Sequence, residues 1–465
     1  MKSLYLFLIF LLFFSGRPQK ENKPNGHVDD FRILVQSLKE LDPMIYQVMG
    51  KDSFDVRVAR AEQRLQNVDS TLDAIYIMQE FMYGLGDAHA AITASYGYLG
   101  VKRILPFKVF ILNKRLYIRN YPERPELNGT EIYSIDRVKS SVIIDSLKIF
   151  YPNDGARDIV GFGLPALFNS LYSAFCHESD FYYLETSAGA INAESCDLGD
   201  KHFDELVSYS WMDYMVSDSS FSKQITNDYA YFRFSNFDRV EEGHPVEKEF
   251  NSLIEEANQK NVKNFVIDLR FNSGGDPYIA GRMATHFVTK PFRIFQRLIL
   301  TNTKHTTYAS YMVRNFSYRF RHAGTKKVDG RREKAKFEKG LKEWEPSSLH
   351  FDGTVYVLTG PMTGSSATML CKYLMDLPNV KFVGGETEGS INYFCAHRHC
   401  ELTLPNSHVY VTFGMQIVEL VKGSSDTEKP VTLIPGNAVN YTIGDLLQRK
   451  DLEMEWVKND IAAKQ

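Results

Sequence analysis

The first apolar feature of the chain is a run over residues 4–14 that follows Met1-Lys2 and stops at Ser15-Gly16-Arg17. A short apolar run behind a basic start has the form of a secretory h-region. It falls short of the roughly 20 residues that a membrane-spanning helix needs. Residues 1–20 are therefore predicted to be a signal peptide that exports the chain to a periplasmic or extracellular location, or anchors it in the membrane if left uncleaved. A 3.6-residue period follows. Phe31, Leu34, Val35, Leu38 and Leu41 form one stripe, Phe54, Val58, Ala61, Leu65 and Val68 a second, and Leu72, Ile75, Met82 and Leu85 a third. The third stripe is preceded by Ser70-Thr71-Leu72-Asp73, which reads as a capping box. Together they predict an N-terminal helical domain over 27–95 that delivers Asp87-Ala88-His89 at its end.

The pattern then turns to short β segments such as Phe107-Lys108-Val109-Phe110-Ile111 and Leu116-Tyr117-Ile118, with Asn128-Gly129 as a turn signal. A separate mixed α/β domain is predicted over 96–200. Residues 205–460 read differently again: strand runs at 229–234, 265–269 and 355–358 alternate with helical segments near 278–287 and 366–377. Such alternation predicts crossover units and a layered α/β core. The stretch 301–345 is polar, charged and poorly periodic, and reads as a long insertion over that core.

Composition narrows the classes of function. With 44% hydrophobic and 24% charged residues the chain has globular proportions, and 465 residues predict two or three domains. A net charge of -3 with mixed signs creates no field for nucleic acid, which is excluded as a partner. Beyond the signal no segment reads as a membrane span. The five cysteines show no ligand spacing of a metal site, and Cys395 and Cys400 read as a loop-tip disulfide or two thiols. No metal or organic cofactor is expected.

Two segments carry candidate chemistry. In the first, the strand Val266-Ile267-Asp268-Leu269 runs through Arg270-Phe271-Asn272-Ser273 into Gly274-Gly275, where backbone amides can approach a ligand closely. A Gly-Gly pair also suits an ordinary turn. In the second, Thr359-Gly360-Pro361-Met362-Thr363-Gly364-Ser365 joins a strand to a helix and sets Ser365 at the helix N-terminus. Free amides and the helix dipole favour an oxyanion there, while a serine at that place also serves as an N-cap. The absence of a G-x-S-x-G elbow argues against an α/β-hydrolase.

In combination these segments resemble the tail-specific protease (C-terminal processing serine peptidase) family. Asp268-Leu269-Arg270-Phe271-Asn272-Ser273-Gly274-Gly275 is similar to its D-L-R-x-N-x-G-G, and Thr363-Gly364-Ser365-Ser366-Ala367 to its T-x-S-x-A. Val383-Gly384-Gly385-Glu386-Thr387-Glu388-Gly389 is similar to its V-G-x-x-T-x-G loop. Leu404-Pro405-Asn406-Ser407 resembles a strand of the interphotoreceptor-retinoid-binding-protein-like branch, and Asp445-Leu446-Leu447 with Asp451-Leu452-Glu453 its closing helix. Residues 129–136 resemble a turn and strand of PDZ-like modules, with Asp136-Arg137 in place of Asn-Gly.

The resemblance implies a crotonase-like (ClpP/crotonase) layered catalytic core, a PDZ-like mixed domain, and serine endopeptidase activity on extended or unfolded polypeptides. It implies Ser365 as nucleophile and an oxyanion hole from Gly274, Gly275 and Ser366, with the choice between the two glycines open. One branch takes a lysine base just after the T-x-G loop, where this chain has Ser390. The tricorn-core branch takes a histidine from a preceding domain, and Asp87-Ala88-His89 resembles the D-x-H motif of its relatives, which implies His89 as general base. Ala88 stands where tricorn-like enzymes have an orienting serine, leaving Asp87, Glu386 and Glu428 as candidates for that role. Leu433-Ile434-Pro435-Gly436 departs from the relatives' P-D. Two alternatives remain: a catalytically silent ligand- or peptide-binding protein on the same fold, and a crotonase-like acyl-thioester enzyme.

Overall fold

The structure, a computed structural model, describes residues 26–93, 100–151, 154–155, 160–207, 221–237, 245–304, 306–313 and 320–464. The predicted signal peptide lies outside the described residues. Helices α1 (Gly26–Leu41), α2 (Lys51–Leu65) and α3 (Thr71–Tyr83) form where the 3.6-residue stripes predict them. Ser70 caps α3, its side chain accepting from Asp73 N at 3.4 Å. Phe31, Phe54 and Phe81 meet edge to face, with Phe81 centroids 5.0 Å and 5.5 Å from the other two. Burying each such ring contributes about 1.5–3 kcal/mol.

The three helices do not close this core alone. Leu402, Leu404, Val409, Val411 and Phe413, from the hairpin of strands His399–Thr403 and Tyr410–Gly414, complete it, and strand Ala91–Thr93 pairs with Tyr410–Gly414. Buried Asp30 pins the two parts together. Its carboxylate accepts from Asn406 N at 3.0 Å, Asn406 Nδ2 at 2.9 Å, Ser407 N at 2.7 Å and Ser407 Oγ at 2.6 Å. Four donors offset the several kcal/mol that desolvating a carboxylate costs.

The middle region is an antiparallel sheet in the order Lys108–Leu112, Arg115–Asn120, Glu131–Ile135, Phe181–Thr186, Gly189–Glu194, with Val138–Lys139 hairpinned onto Glu131–Ile135. Tyr182, Leu184 and Thr186 point inward and Phe181, Tyr183 and Glu185 outward, the period of two that a half-buried strand requires. Asp136 (φ 49°) and Arg137 (φ 67°) both adopt positive φ in the two-residue hairpin turn. They keep the backbone form for which Asn-Gly is the favoured pair.

The last region is built on a six-stranded sheet, ordered Phe221–Ile225, Ala230–Phe234, Asn264–Asp268, Thr354–Thr359, Val380–Gly384, Asn437–Ala438. All neighbours are parallel except the first pair. Helices Pro245–Gln259, Pro277–Thr285 and Ser366–Leu374 bury Phe250, Met283 and Leu370 against one face. Helix Leu452–Ala462 covers the other through Met454, Val457 and Ile461. Cover on both faces explains why the central strands read as continuous apolar runs. Arg270 locks that helix in place: it donates to Asp268 beside it, to Asp451 Oδ1 at 2.7 Å and to Glu453 Oε2 at 2.9 Å. The D-L-R segment is thus a structural brace.

The insertion carries regular structure of its own. Thr325–Val328 and Arg331–Lys334 form a hairpin that extends a second sheet through Arg297–Leu300 to Ile417–Glu419 and Tyr393–Cys395. Its strands carry charge on both sides, which erases the alternation, and ion pairs replace apolar packing. Arg297 reaches Glu333 at 2.9 Å and Asp426 at 2.6 Å, and Asp426 also binds Arg331.

Candidate active site

Ser365 sits between strand Thr354–Thr359 and helix Ser366–Leu374 with φ 46° and ψ -120°, and its side chain makes no capping bond. A non-glycine residue in this conformation costs about 1–3 kcal/mol and persists only where its surroundings impose it. They do. Thr363 Oγ1 donates to Leu269 O at 2.8 Å and accepts from Gly360 N at 3.0 Å. Gly364 N donates to Asn272 O at 3.0 Å, Thr368 Oγ1 to Thr363 O at 3.0 Å, and Ser366 Oγ to Gly275 O at 2.7 Å. With its hydroxyl unused as a cap and its side chain partly exposed, Ser365 is available for chemistry.

The Gly-Gly turn lies directly against it. A Cβ on Gly274 (φ 109°) would come within 2.6 Å of Ser365 Cβ and 2.9 Å of Ser366 N, so only glycine fits. The two glycines differ in what their amides do. Gly274 N is spent on Asn272 Oδ1 at 2.9 Å, whereas Gly275 N and Ser366 N take no partner among the described residues. The T-x-G loop closes a third side: Glu388 N donates to Thr363 O at 3.0 Å, and a Cβ on Gly389 would lie 3.0 Å from Ser365 N. Thr387 Oγ1 accepts from Leu433 N at 3.0 Å, so the segment that departs from the relatives still supports this loop.

His89 follows α3 and is buried, its ring stacked on Phe394 at 5.5 Å. Asp87 Oδ1 accepts from His89 N at 2.8 Å and lies 3.6 Å from His89 Nδ1. Asp154 joins this loop to the nucleophile side, accepting from Ala88 N at 2.8 Å and from Ser390 N at 3.3 Å. His89 and Ser365 thus stand on either side of one connected run through Ala88, Asp154, Ser390 and Gly389.

Burial pushes the His89 imidazole down, but the carboxyls of Asp87, Asp154 and Glu388 outweigh it and hold the pKa above the usual 6.5. Burial lifts Asp154 to about 6 against the pull of His89. Glu388 rises to about 8, chiefly through burial and then through Asp154. Asp42, which accepts from Met44 N at 2.7 Å and Cys395 Sγ at 3.6 Å, is pushed well up by burial and by Asp87. The ring of His399 lies 5.8 Å from that of His89.

The structure therefore brings Ser365, Gly274, Gly275 and Ser366 together, and links the Asp87-Ala88-His89 loop to that turn through Asp154, Ser390 and Gly389. Glu386 accepts from Thr432 Oγ1, and exposed Glu428 accepts from Asn392 Nδ2 at 3.2 Å, while the carboxyls that act most on His89 are those of Asp87, Asp154 and Glu388. Asp154 escaped the sequence reading because Asp-Gly is also ordinary turn chemistry. Glu388 lies within the T-x-G segment, with nothing in the sequence to mark its action on His89. All five cysteines are free thiols, so of the two readings of Cys395 and Cys400 the thiols hold. Among the described residues no helix is long and apolar enough to cross a membrane.

Residues 228–393 match the family model of Peptidase family S41. No curated protein matches the chain. Among solved structures, mature CPAF is 13% identical, with 94% of this chain and 96% of that one covered at a TM-score of 0.65. CPAF complexed with lactacystin is 14% identical, with 94% and 97% covered at 0.63. At such identities the likeness is one of fold, and it extends far beyond the matched segment. Residues 228–393 are thus similar to peptidase family S41, the tail-specific proteases, which supports a serine-type peptidase.

Proposed function

We propose that the protein is an exported endopeptidase that cleaves extended or unfolded polypeptides with Ser365 as nucleophile and His89 as general base. The observation that carries this reading is the strained Ser365 backbone, its hydroxyl unused as a cap, packed against the Gly274-Gly275 turn, with Gly275 N and Ser366 N taking no partner among the described residues. Ser365 Oγ attacks the scissile carbonyl carbon as His89 takes its proton. The resulting oxyanion is met by the amides of Gly275 and Ser366, while Gly274, its amide committed to Asn272, shapes the turn. Collapse expels the amine, which leaves with the proton from His89. Water then repeats the sequence on the acyl-enzyme and frees Ser365. Asp87 and Asp154 fix the His89 loop and favour the imidazolium formed in each step.

The parallel sheet with helices on both faces supports a crotonase-like core, and the antiparallel sheet with helices Ser140–Leu147 and Val160–Phe175 supports a PDZ-like middle domain. Export through residues 1–20 rests on their apolar pattern alone. The test is hydrolysis of an unfolded protein by the mature chain. Ser365→Ala is expected to lower kcat by about 10⁶-fold and His89→Ala by about 10²–10⁴-fold, both with unchanged circular dichroism. Full activity in either variant would overturn the assignment of that residue.

A further inference from the structure

Asp87, His89 and Asp154 are all buried, and each brings one ligand atom to a common point, the three atoms lying within 4.8 Å of one another. The hydrogen bonding around them leaves an acceptor over. Asp87 Oδ1 accepts from His89 N, but Asp87 Oδ2 is buried without a hydrogen-bond partner among the described residues, in a side chain only 2% exposed. A buried acceptor left unmet costs about 1–3 kcal/mol. Asp154 is held from behind by the amides of Ala88 and Ser390, the kind of outer support that orients a metal-binding carboxylate, and each of its oxygens retains a second lone pair.

The carboxyls nearest the cluster, Glu388 and Asp42, are both lifted by burial, and the His399 ring lies 5.8 Å from that of His89. A divalent cation held by Asp87 and Asp154 would be neutralised by their two charges and would engage the idle Asp87 oxygen. Two carboxylate oxygens and one imidazole nitrogen form a ligand set that Zn²⁺ takes in three-residue sites, at about 2.0–2.2 Å from each donor. We propose that Asp87, His89 and Asp154 form a Zn²⁺ site, and that the bound ion inhibits the peptidase by taking the one lone pair of the neutral imidazole, which leaves none to receive the Ser365 proton. The inhibitory half rests on the proposed role of His89; the binding half does not.

Zn²⁺ binding is measured by calorimetry on the full mature Ser365→Ala chain, which retains all three ligands and cannot digest itself. One ion per chain is expected, with affinity lowered at least about tenfold in Asp87→Asn and in Asp154→Asn. Both substitutions keep side-chain shape, and near-ultraviolet circular dichroism checks their folding; should one fail to fold, the other together with His89→Ala makes the same test. In the active chain Zn²⁺ is expected to stop hydrolysis of an unfolded protein, and a chelator to restore it. Absence of binding at micromolar Zn²⁺, or binding unmoved by the substitutions, overturns the site. Binding that requires these residues but leaves hydrolysis untouched upholds the site and overturns the role of His89 as base.

Discussion

The two sides of the candidate active site are held by different kinds of interaction. Around Ser365 the supports are backbone groups and the neutral side chains of Asn272, Thr363, Ser366 and Thr368, nearly all drawn from two strand-to-helix turns of one sheet. Around His89 they are carboxyls: Asp87 from its own loop, Asp154 from the middle region and Glu388 from the T-x-G loop. Neutral hydrogen bonds over short spans give a fixed geometry that changes little with solution conditions. Buried carboxyls from distant segments give a position that depends on assembly, charge and bound ions. The proposed nucleophile is therefore prepared locally, and the proposed base is prepared by the way the regions come together.

That contrast can be broken first on the nucleophile side. Gly274→Ala places a methyl 2.6 Å from Ser365 Cβ at φ 109°, so backbone must shift. The expected effect is a loss of about 2–3 kcal/mol of stability and about 100-fold in kcat. A thermal melt and steady-state hydrolysis check it, and a wild-type rate would show that Gly274 does not set the nucleophile. On the other side, Asp154→Asn retains shape but loses charge and one acceptor toward Ala88 or Ser390. It should lower kcat on the order of tenfold while leaving KM unchanged, because it acts through His89 and not through substrate binding. An equal change in KM would place Asp154 in substrate binding instead.

The smallest effect concerns the strand beneath His89. Phe394, on which His89 stacks, belongs to strand Tyr393–Cys395, which the insertion steadies when Glu338 meets His397 at 3.4 Å and accepts from Tyr278 OH. Burial opposes ionisation of Glu338, but His397 and Tyr278 prevail and hold its pKa at about 2, below the ordinary 4.5. Because the folded value is depressed, this contact contributes its full stability above about pH 4.5 and loses it as the pH falls toward 2. Glu338→Gln should flatten that part of the curve of melting temperature against pH, and an unchanged acid limb would remove the latch from the account.

Much of this was legible in advance. The stripes ending at Leu41, Val68 and Leu85 located the three helices, because an amphipathic face repeats every 3.6 residues wherever a core awaits it. Thr363-Gly364-Ser365 and Asn272-Ser273-Gly274-Gly275 located the two turns that meet at Ser365, because tight turns constrain residue type over short spans. The insertion hairpin was not legible, since ion pairs such as Arg297–Glu333 leave no apolar period.

Sequence alone thus determined the elements, the strand-to-helix turns and the serine, all of which depend on neighbours within a few residues. Tertiary structure decided that Gly274, and not Gly275, spends its amide on Asn272, because the answer turns on where the Asn272 side chain points. It also decided that Asp154 and Glu388 face His89, and that Asp30 fastens the helices to Asn406 and Ser407. These are meetings of charge and hydrogen-bond donors across long stretches of chain, and only the folded backbone brings them within reach.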